Sequence, residues 1–303
     1  MSRSVLICGA GIGGLAAAAL LAADGADVML VEQAPAPAPV GSGLVVQPVG
    51  KAVLDLLGVG EAVAALGAPI SRLYGKSGDR VVLDARYDPA AARRLGLAVQ
   101  RRTLFEALMG AAEAAGATLR FGAEVAAADP HAGWVRLTGG EVIEADLIVD
   151  ALGARSPLSP KPGKPLAYGA LWASLAWPED AGFDKSHLEQ RYERASKMAG
   201  VLPVGAAASD PTFRAAYFWS LRRDRFADWR ARPIEDWKAE ALSLWPETAP
   251  LLDQIGAHDD LTEARYLHRT LADPVTDRIV HLGDSWHATS PQLGQGANMA
   301  LLD

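Results

Sequence analysis

Three glycines spaced Gly9-x-Gly11-x-x-Gly14, with a carboxylate eighteen residues further on at Glu32, form the first constellation able to hold a ligand. The first glycine permits a tight turn, the second lets a pyrophosphate approach the backbone, and the third lets a helix pack closely on a strand. A carboxylate at Glu32 accepts hydrogen bonds from an adenosine ribose, which suits FAD or NAD and repels a 2′-phosphate. A second constellation runs from Gly283-Asp284-Ser285-Trp286-His287 to Pro291-Gln292-Leu293-Gly294-Gln295-Gly296-Ala297-Asn298. Asp284, delivered by the strand Arg278–Leu282, can accept hydrogen bonds from sugar-alcohol hydroxyls. The glycine-rich turn then opens a helix at about Gln295, whose free N–H groups and positive dipole end favour negative charge.

These residues need elements to hold them. The apolar run Ser4–Cys8 reads as a strand, Ile12–Ala23 as a helix and Asp27–Val31 as a second strand ending in Glu32. Ser4 to Ala23 carries no charge, so length alone would admit a membrane span or a signal segment. Gly9, Gly11, Gly13 and Gly14 break that run into strand, turn and helix, and no membrane role is expected.

Thirty-six acidic against twenty-nine basic residues give a formal charge of −7, which offers no basic surface to a phosphate backbone and argues against a nucleic-acid partner. The single cysteine, Cys8, cannot form an internal disulfide, and a reducing, cytoplasmic location is expected. Its place in an apolar strand reads as packing rather than redox chemistry.

Gln33–Pro39, with three prolines, reads as an extended linker. Arg72–Lys76 and Arg80–Asp84 flank Ser77-Gly78-Asp79 as a hairpin. Arg102–Ala115 has helical periodicity, and Thr118–Phe121, Trp134–Leu137 and Asp146–Asp150 read as short strands. Six of the eight tryptophans lie between Leu166 and His268, where alternation at Ala215–Leu221 indicates a sheet and Ile234–Leu244 and Glu247–Ile255 indicate helices. The expected fold is α/β: a Rossmann-type domain from residues 1–70, 97–165 and 269–303, carrying an inserted substrate domain of mixed β-sheet plus helices from residues 71–96 and 166–268. Tyr217, Trp219 and Leu221 share one strand face and Trp172 and Ser174 another; these rings form either an aromatic pocket or ordinary sheet core.

Along nearly its whole length the chain resembles the FAD-dependent group A aromatic monooxygenases, the para-hydroxybenzoate and salicylate hydroxylase kind. The resemblance is carried by the glycine fingerprint and, most specifically, by Gly283-Asp284 running into Pro291-x-x-Gly294-Gln295-Gly296-x-Asn298. It implies that Asp284 holds the flavin ribityl chain and that Gly294, Gly296, Ala297 and Asn298 surround the flavin. It implies that Pro291 shapes the pocket at the reactive edge of the ring. Arg101, in Gln100-Arg101-Arg102-Thr103-Leu104, matches the family's R-x-x-L helix start, with Arg102 as the alternative contact. Gly41-Ser42-Gly43-Leu44 and Gln47-Pro48 resemble a further flavin-side stretch. The activity implied is hydroxylation of a small aromatic substrate with O2 through a flavin C4a-hydroperoxide, NADH or NADPH being the transient electron donor and a homodimer an admissible assembly. Without a second GxGxxG, the nicotinamide would visit a shared cleft.

Gln47 and Val49 depart from the family at the flanks of that flavin-side stretch, and two further departures qualify the resemblance. Asp150-Ala151-Leu152-Gly153 puts Leu152 where the family carries an Asp that reaches FAD pyrophosphate and the nicotinamide; Asp150 is the candidate substitute. Relatives also continue past the signature helix into a C-terminal helical region, so that region is expected to lie outside this sequence. Competing readings are another reaction on the same fold, such as dehydrogenation or reduction, and a non-catalytic flavin-binding protein. Gly283-Asp284-Ser285 as an esterase nucleophile block fails because one short loop cannot also supply the separate block that folds back on it. His281, Asp284 and His287 lack ligand spacing, and no metal is expected.

Overall fold

The computed structural model describes residues 2–37, 43–87, 95–291 and 294–303. Val5, Leu6, Ile7 and Cys8 are all buried, as befits a central strand covered on both faces. This first strand, Ser4–Cys8, pairs in parallel with the second, Asp27–Glu32, on one side and with Leu147–Asp150 on the other. The sheet has six strands, in the order Val275–Thr276, Ile279–His281, Leu147–Asp150, Ser4–Cys8, Asp27–Glu32, Thr118–Phe121; only the Val275–Thr276 edge is antiparallel. Helix Ile12–Ala23 crosses between the first two strands, and its buried Gly14, Ala16, Ala18 and Ala19 let it lie close to the sheet.

A second, seven-stranded sheet is antiparallel except where His187–Glu193 runs parallel to Arg72–Ser77. Its order is Thr262–His268, Lys164–Ala176, Asp210–Arg222, Lys197–Ala207, His187–Glu193, Arg72–Ser77, Arg80–Arg86. The hairpin read at residues 72–84 therefore forms one edge of this sheet. Helix Ile234–Leu244 has the bounds its periodicity indicated, whereas the segment from Glu247 to Ile255 is a 3-10 turn, Pro246–Thr248, and one short helix, Ala249–Leu252. Prolines at 246 and 250 remove amide donors there and break the run. Of the linker, Ala38 and Pro39 lie outside the described residues, as do Gly41 and Ser42.

The two faces of the larger sheet differ. Leu171, Leu175, Val201, Tyr217 and Trp219 pack under the helices with Trp229, Trp237 and Trp245. Leu202, Val204 and Ala216 pack instead on Val45, Ile70 and Ala98 of a small antiparallel sheet, Gly43–Val46, Gly96–Gln100 and Ala68–Ile70. Tyr217 and Trp219 both meet Trp237 edge-on with centroids 6.3 Å apart, so they are sheet core on the helix side and not pocket walls. Trp172 lies on the opposite face, tilted against Phe218 at 4.8 Å.

Candidate active site

The glycine loop separates three steric roles. Gly9 has φ +106°, and a Cβ there would lie 2.5 Å from the Ala151 carbonyl oxygen, so both conformation and space demand glycine. A Cβ on Gly14 would clash with the carbonyl oxygen of Gly9, which is the close packing of helix on loop. At Gly11 the nearest atom to such a Cβ is Ala151 O, 3.9 Å away, and the residue is exposed. No protein packing requires glycine at Gly11; the space is kept for something that approaches the backbone. The helix that starts at Ile12 turns its unpaired N–H groups toward that space.

Glu32 closes the loop from the side. Its two carboxylate oxygens accept the N–H groups of Ala10 at 2.8 Å and Ala34 at 2.9 Å. Each oxygen retains lone-pair capacity for a ribose hydroxyl.

Arg101 begins helix Arg101–Ala114, whose start is fixed to the larger sheet: Gln100 Nε2 donates to Gly205 O at 3.2 Å and Thr103 Oγ1 to Ala206 O at 3.1 Å. The Arg101 side chain is solvent-accessible yet ringed by protein, and this desolvation lowers its pKa; the fields of Asp284 and Tyr266 oppose the shift. Arg102 instead pairs along its own helix with Glu106 at 3.6 Å. Asp284 shows the complementary behaviour: desolvation raises its carboxyl pKa, and Arg101, His287 and Arg269 pull it back. Arg101 and Asp284 thus face one concave opening from different elements, and Tyr266, hydrogen-bonded to Trp172 Nε1 at 2.9 Å, borders it.

Gly296 opens the last helix, Gly296–Leu302, with Ala297 in its first turn. A Cβ on Gly296 would approach nothing nearer than Asp284 Oδ1 at 3.9 Å, so Gly296 and Asp284 share the opening. Gly294 has φ +60° and donates its N–H to the carbonyl of the exposed Pro291 at 2.8 Å. Gln292 and Leu293 lie outside the described residues. Asn298 is buried and committed to the backbone: Nδ2 donates to Val45 O at 3.0 Å and Gly294 O at 2.9 Å, and Oδ1 accepts Gln47 N–H at 2.6 Å. It fixes the last helix against strand Gly43–Val46, and its side chain has little left for a ligand.

Asp150 turns inward. Its Oδ2 accepts from Ser156 Oγ at 2.6 Å and pairs with His281 Nδ1 at 2.7 Å, while Oδ1 accepts Leu152 N–H at 3.0 Å. Leu152 packs against the apolar cluster of Leu6, Cys8 and Val31. Neither residue presents a carboxylate to the opening. Burial, together with the charge of Asp150, pushes the Cys8 thiol up, so this cysteine stays protonated and inert. His287 stacks on Trp286 at 4.3 Å and meets Asp303 Oδ2 at 2.8 Å. Among the described residues no cluster suits a metal ion.

Arg269 escaped notice in the sequence. It is 5% exposed, donates from Nη2 to Ala154 O at 2.8 Å and from Nη1 to Ser285 O at 3.3 Å, and so ties the Asp150 loop to the Asp284 turn. A lone arginine after a strand carries no spacing that would have signalled this.

The cradle at Gly11, the ribose acceptor Glu32 and the carboxylate Asp284 fit a dinucleotide with a polyhydroxyl chain. Residues 2–303 match the family described as FAD binding domain. The chain belongs to the FAD-binding domain family. FAD is its cofactor. The chain is 28% identical to 6-hydroxynicotinate 3-monooxygenase of Pseudomonas fluorescens, covering all of this chain and 81% of the relative. It is also 28% identical to the FAD-dependent urate hydroxylase of Klebsiella pneumoniae, covering 98% and 78%. The solved tetrameric 2-methyl-3-hydroxypyridine-5-carboxylic acid oxygenase superposes with a TM-score of 0.84 at 23% identity, over 99% of this chain and 80% of that one; this likeness concerns the fold. The recognised resemblance to FAD-dependent aromatic monooxygenases holds, and with it the assignment as an oxidoreductase. Among the described residues no helix is long and apolar enough to cross a membrane.

Proposed function

We propose that this FAD-binding domain family member hydroxylates a small aromatic or heteroaromatic substrate with O2, taking electrons from NADH or NADPH. The observation that carries the reading is the grouping of Arg101, Asp284 and Gly296, with Tyr266 and Trp172 beside them on the larger sheet and the Gly11 cradle at the same C-terminal end of the parallel strands. Bound FAD supplies the redox and oxygen-transfer chemistry. Gly9, Gly11 and Gly14 shape the pyrophosphate cradle, and Glu32 accepts the ribose hydroxyls. Asp284 accepts from the ribityl chain, and Arg101 offsets its charge. The N–H groups at Gly296 and Ala297 favour negative charge on the ring edge. Asn298 and Gly294 hold that helix start in place, and Pro291 borders the reacting edge. Tyr266 and Trp172 wall the substrate side and exclude water.

The division of labour we propose assigns residues 1–70, 97–165 and 269–303 to the cofactor and residues 71–96 and 166–268 to the substrate. A cytoplasmic location fits the single buried thiol. The assembly we propose is a homodimer, which light scattering of the eluted protein will read directly. The test of function has two stages. The purified chain, loaded with FAD and freed of excess, is expected to show bands of protein-held oxidised flavin. NAD(P)H oxidation is then expected to rise with an aromatic substrate and to yield hydroxylated product. Flavin retention without substrate-stimulated turnover would reject the hydroxylase reading and leave a flavin-binding protein.

A further inference from the structure

At the far edge of the larger sheet lies a cavity of about 590 Å³, lined by Ser77, Arg80, Leu83, Gln190, Tyr192 and Met198 with Arg194 at its mouth. It shares no lining residue with the cofactor opening. The hairpin turn after Arg72–Ser77 and the turn between His187–Glu193 and Lys197–Ala207 come together there, because those strands run parallel and end at the same side of the sheet.

We propose that this cavity is a second binding site, for a small aromatic carboxylate. Four observations converge. The volume lies in the range of small-molecule clefts, and the cleft is open to solvent on one side. The guanidinium groups of Arg80 and Arg194 have no ion-pair or side-chain hydrogen-bond partner among the described residues. Of the neighbouring carboxylates, Asp84 is engaged by Arg72 and Arg86 and Glu193 by Lys197 at 3.0 Å, while Asp79, next to Arg80 in the turn, forms no ion pair among the described residues. Free forked cations beside a cavity match a planar carboxylate.

Gln190 is 6% exposed, and its amide nitrogen donates only to the Met198 sulfur at 3.5 Å, a weak acceptor; its oxygen takes the Tyr192 hydroxyl at 2.7 Å. A buried amide donor so poorly matched, on the wall of a cavity, points to an acceptor supplied by a ligand, such as a ring carbonyl or ring nitrogen. Arg194 holds φ +53°, one of two non-glycine residues described with positive φ. An arginine stands at this turn where glycine or asparagine would be relaxed. Tyr192, Met198, Leu83 and Val82 supply apolar surface for a ring between the charged mouth and the amide.

The experiment uses the FAD-loaded chain and a matched pair of probes, 4-fluorobenzoate and the neutral 4-fluorobenzamide, followed by ¹⁹F NMR line broadening. The acid is expected to bind saturably and the amide at least about tenfold more weakly. The double variant Arg80→Gln/Arg194→Gly should weaken the acid by about tenfold or more while leaving the amide and the flavin spectrum unchanged. Both arginines are exposed surface residues, so a thermal midpoint close to that of the parent will show that the double variant folds. Equal binding of acid and amide, no saturable broadening, or acid binding unchanged in the double variant would each overturn the proposal. Because the probes are read without turnover, failure here leaves the hydroxylase reading intact, and loss of flavin bands would mark failure of that reading instead.

Discussion

Gly11 and Gly14 sit three residues apart in the same loop, yet adding one methyl group should have opposite consequences. A Cβ on Gly14 would overlap the Gly9 carbonyl oxygen and lie 3.1 Å from Ala151 Cβ, backbone that cannot move without opening the first turn of the helix. Overpacking of this kind costs about 1–3 kcal/mol. A Cβ on Gly11 meets nothing closer than 3.9 Å, and its φ of −73° and ψ of 178° are ordinary for alanine. Alanine there removes about 0.4–1 kcal/mol of unfolded-state freedom and loses a comparable amount as a poorer N-cap, so the balance lies near zero. Gly11→Ala should therefore unfold in urea at the same midpoint as the parent apoprotein, and Gly14→Ala at a clearly lower one. FAD titration, read by flavin fluorescence, should show the reverse emphasis for Gly11→Ala. Its methyl group occupies the approach to the backbone and should weaken FAD by at least about tenfold, roughly 1.4 kcal/mol. Retention of full FAD affinity by Gly11→Ala, or equal urea midpoints for the two variants, would refute the assignment of Gly11 to the ligand and Gly14 to packing.

Burial raises the Asp284 carboxyl pKa in the folded chain, so its ionised form opposes folding above that pKa and the penalty disappears below the unfolded value. Asp284→Asn should accordingly stabilise the apoprotein at neutral pH, with the gain shrinking on acidification, while FAD retention collapses; urea curves at several pH values and flavin absorbance read both. The Tyr217 hydroxyl is fully buried with no partner among the described residues. Tyr217→Phe should therefore stabilise the chain by about 1 kcal/mol with no change in FAD affinity. Leu152→Asp would restore the family residue but set a carboxylate, half-buried, against the cluster of Leu6, Cys8 and Val31. It should cost about 1–2 kcal/mol in urea unfolding and leave the rate of anaerobic NAD(P)H-driven reduction no faster.

The elements that were legible in the sequence are those whose signals are local. Ser4–Cys8, Ile12–Ala23 and the strand into Glu32 follow from a β-branched run, a glycine turn and an alanine-rich stretch that each specify one conformation. Asp284 was legible because a strand end and a glycine turn flank it within a few residues. The orientation of the aromatic strands was not legible, because Lys164–Ala176 and Asp210–Arg222 bury both faces. Alternation separates Tyr217 and Trp219 from Phe218 without saying which set meets the helices. Nor could Arg269, Tyr266 or the inward turn of Asp150 be read: each owes its role, for Asp150 in part, to partners between 16 and 165 residues away.

The bonds of Asn298 have a consequence for how the chain comes together. Gln47 and Val45 stand 251 and 253 residues from the side chain that secures them, and Gly13 is a glycine because Leu282 and Ala300 press against it. Helix Arg101–Ala114 covers part of helix Ile12–Ala23, but the face at Gly13 waits for segments translated some 270 residues later. Through most of synthesis that apolar face stays open, and the high contact order predicts slow refolding and a need for chaperone shelter until the Asp284 turn and its helix arrive.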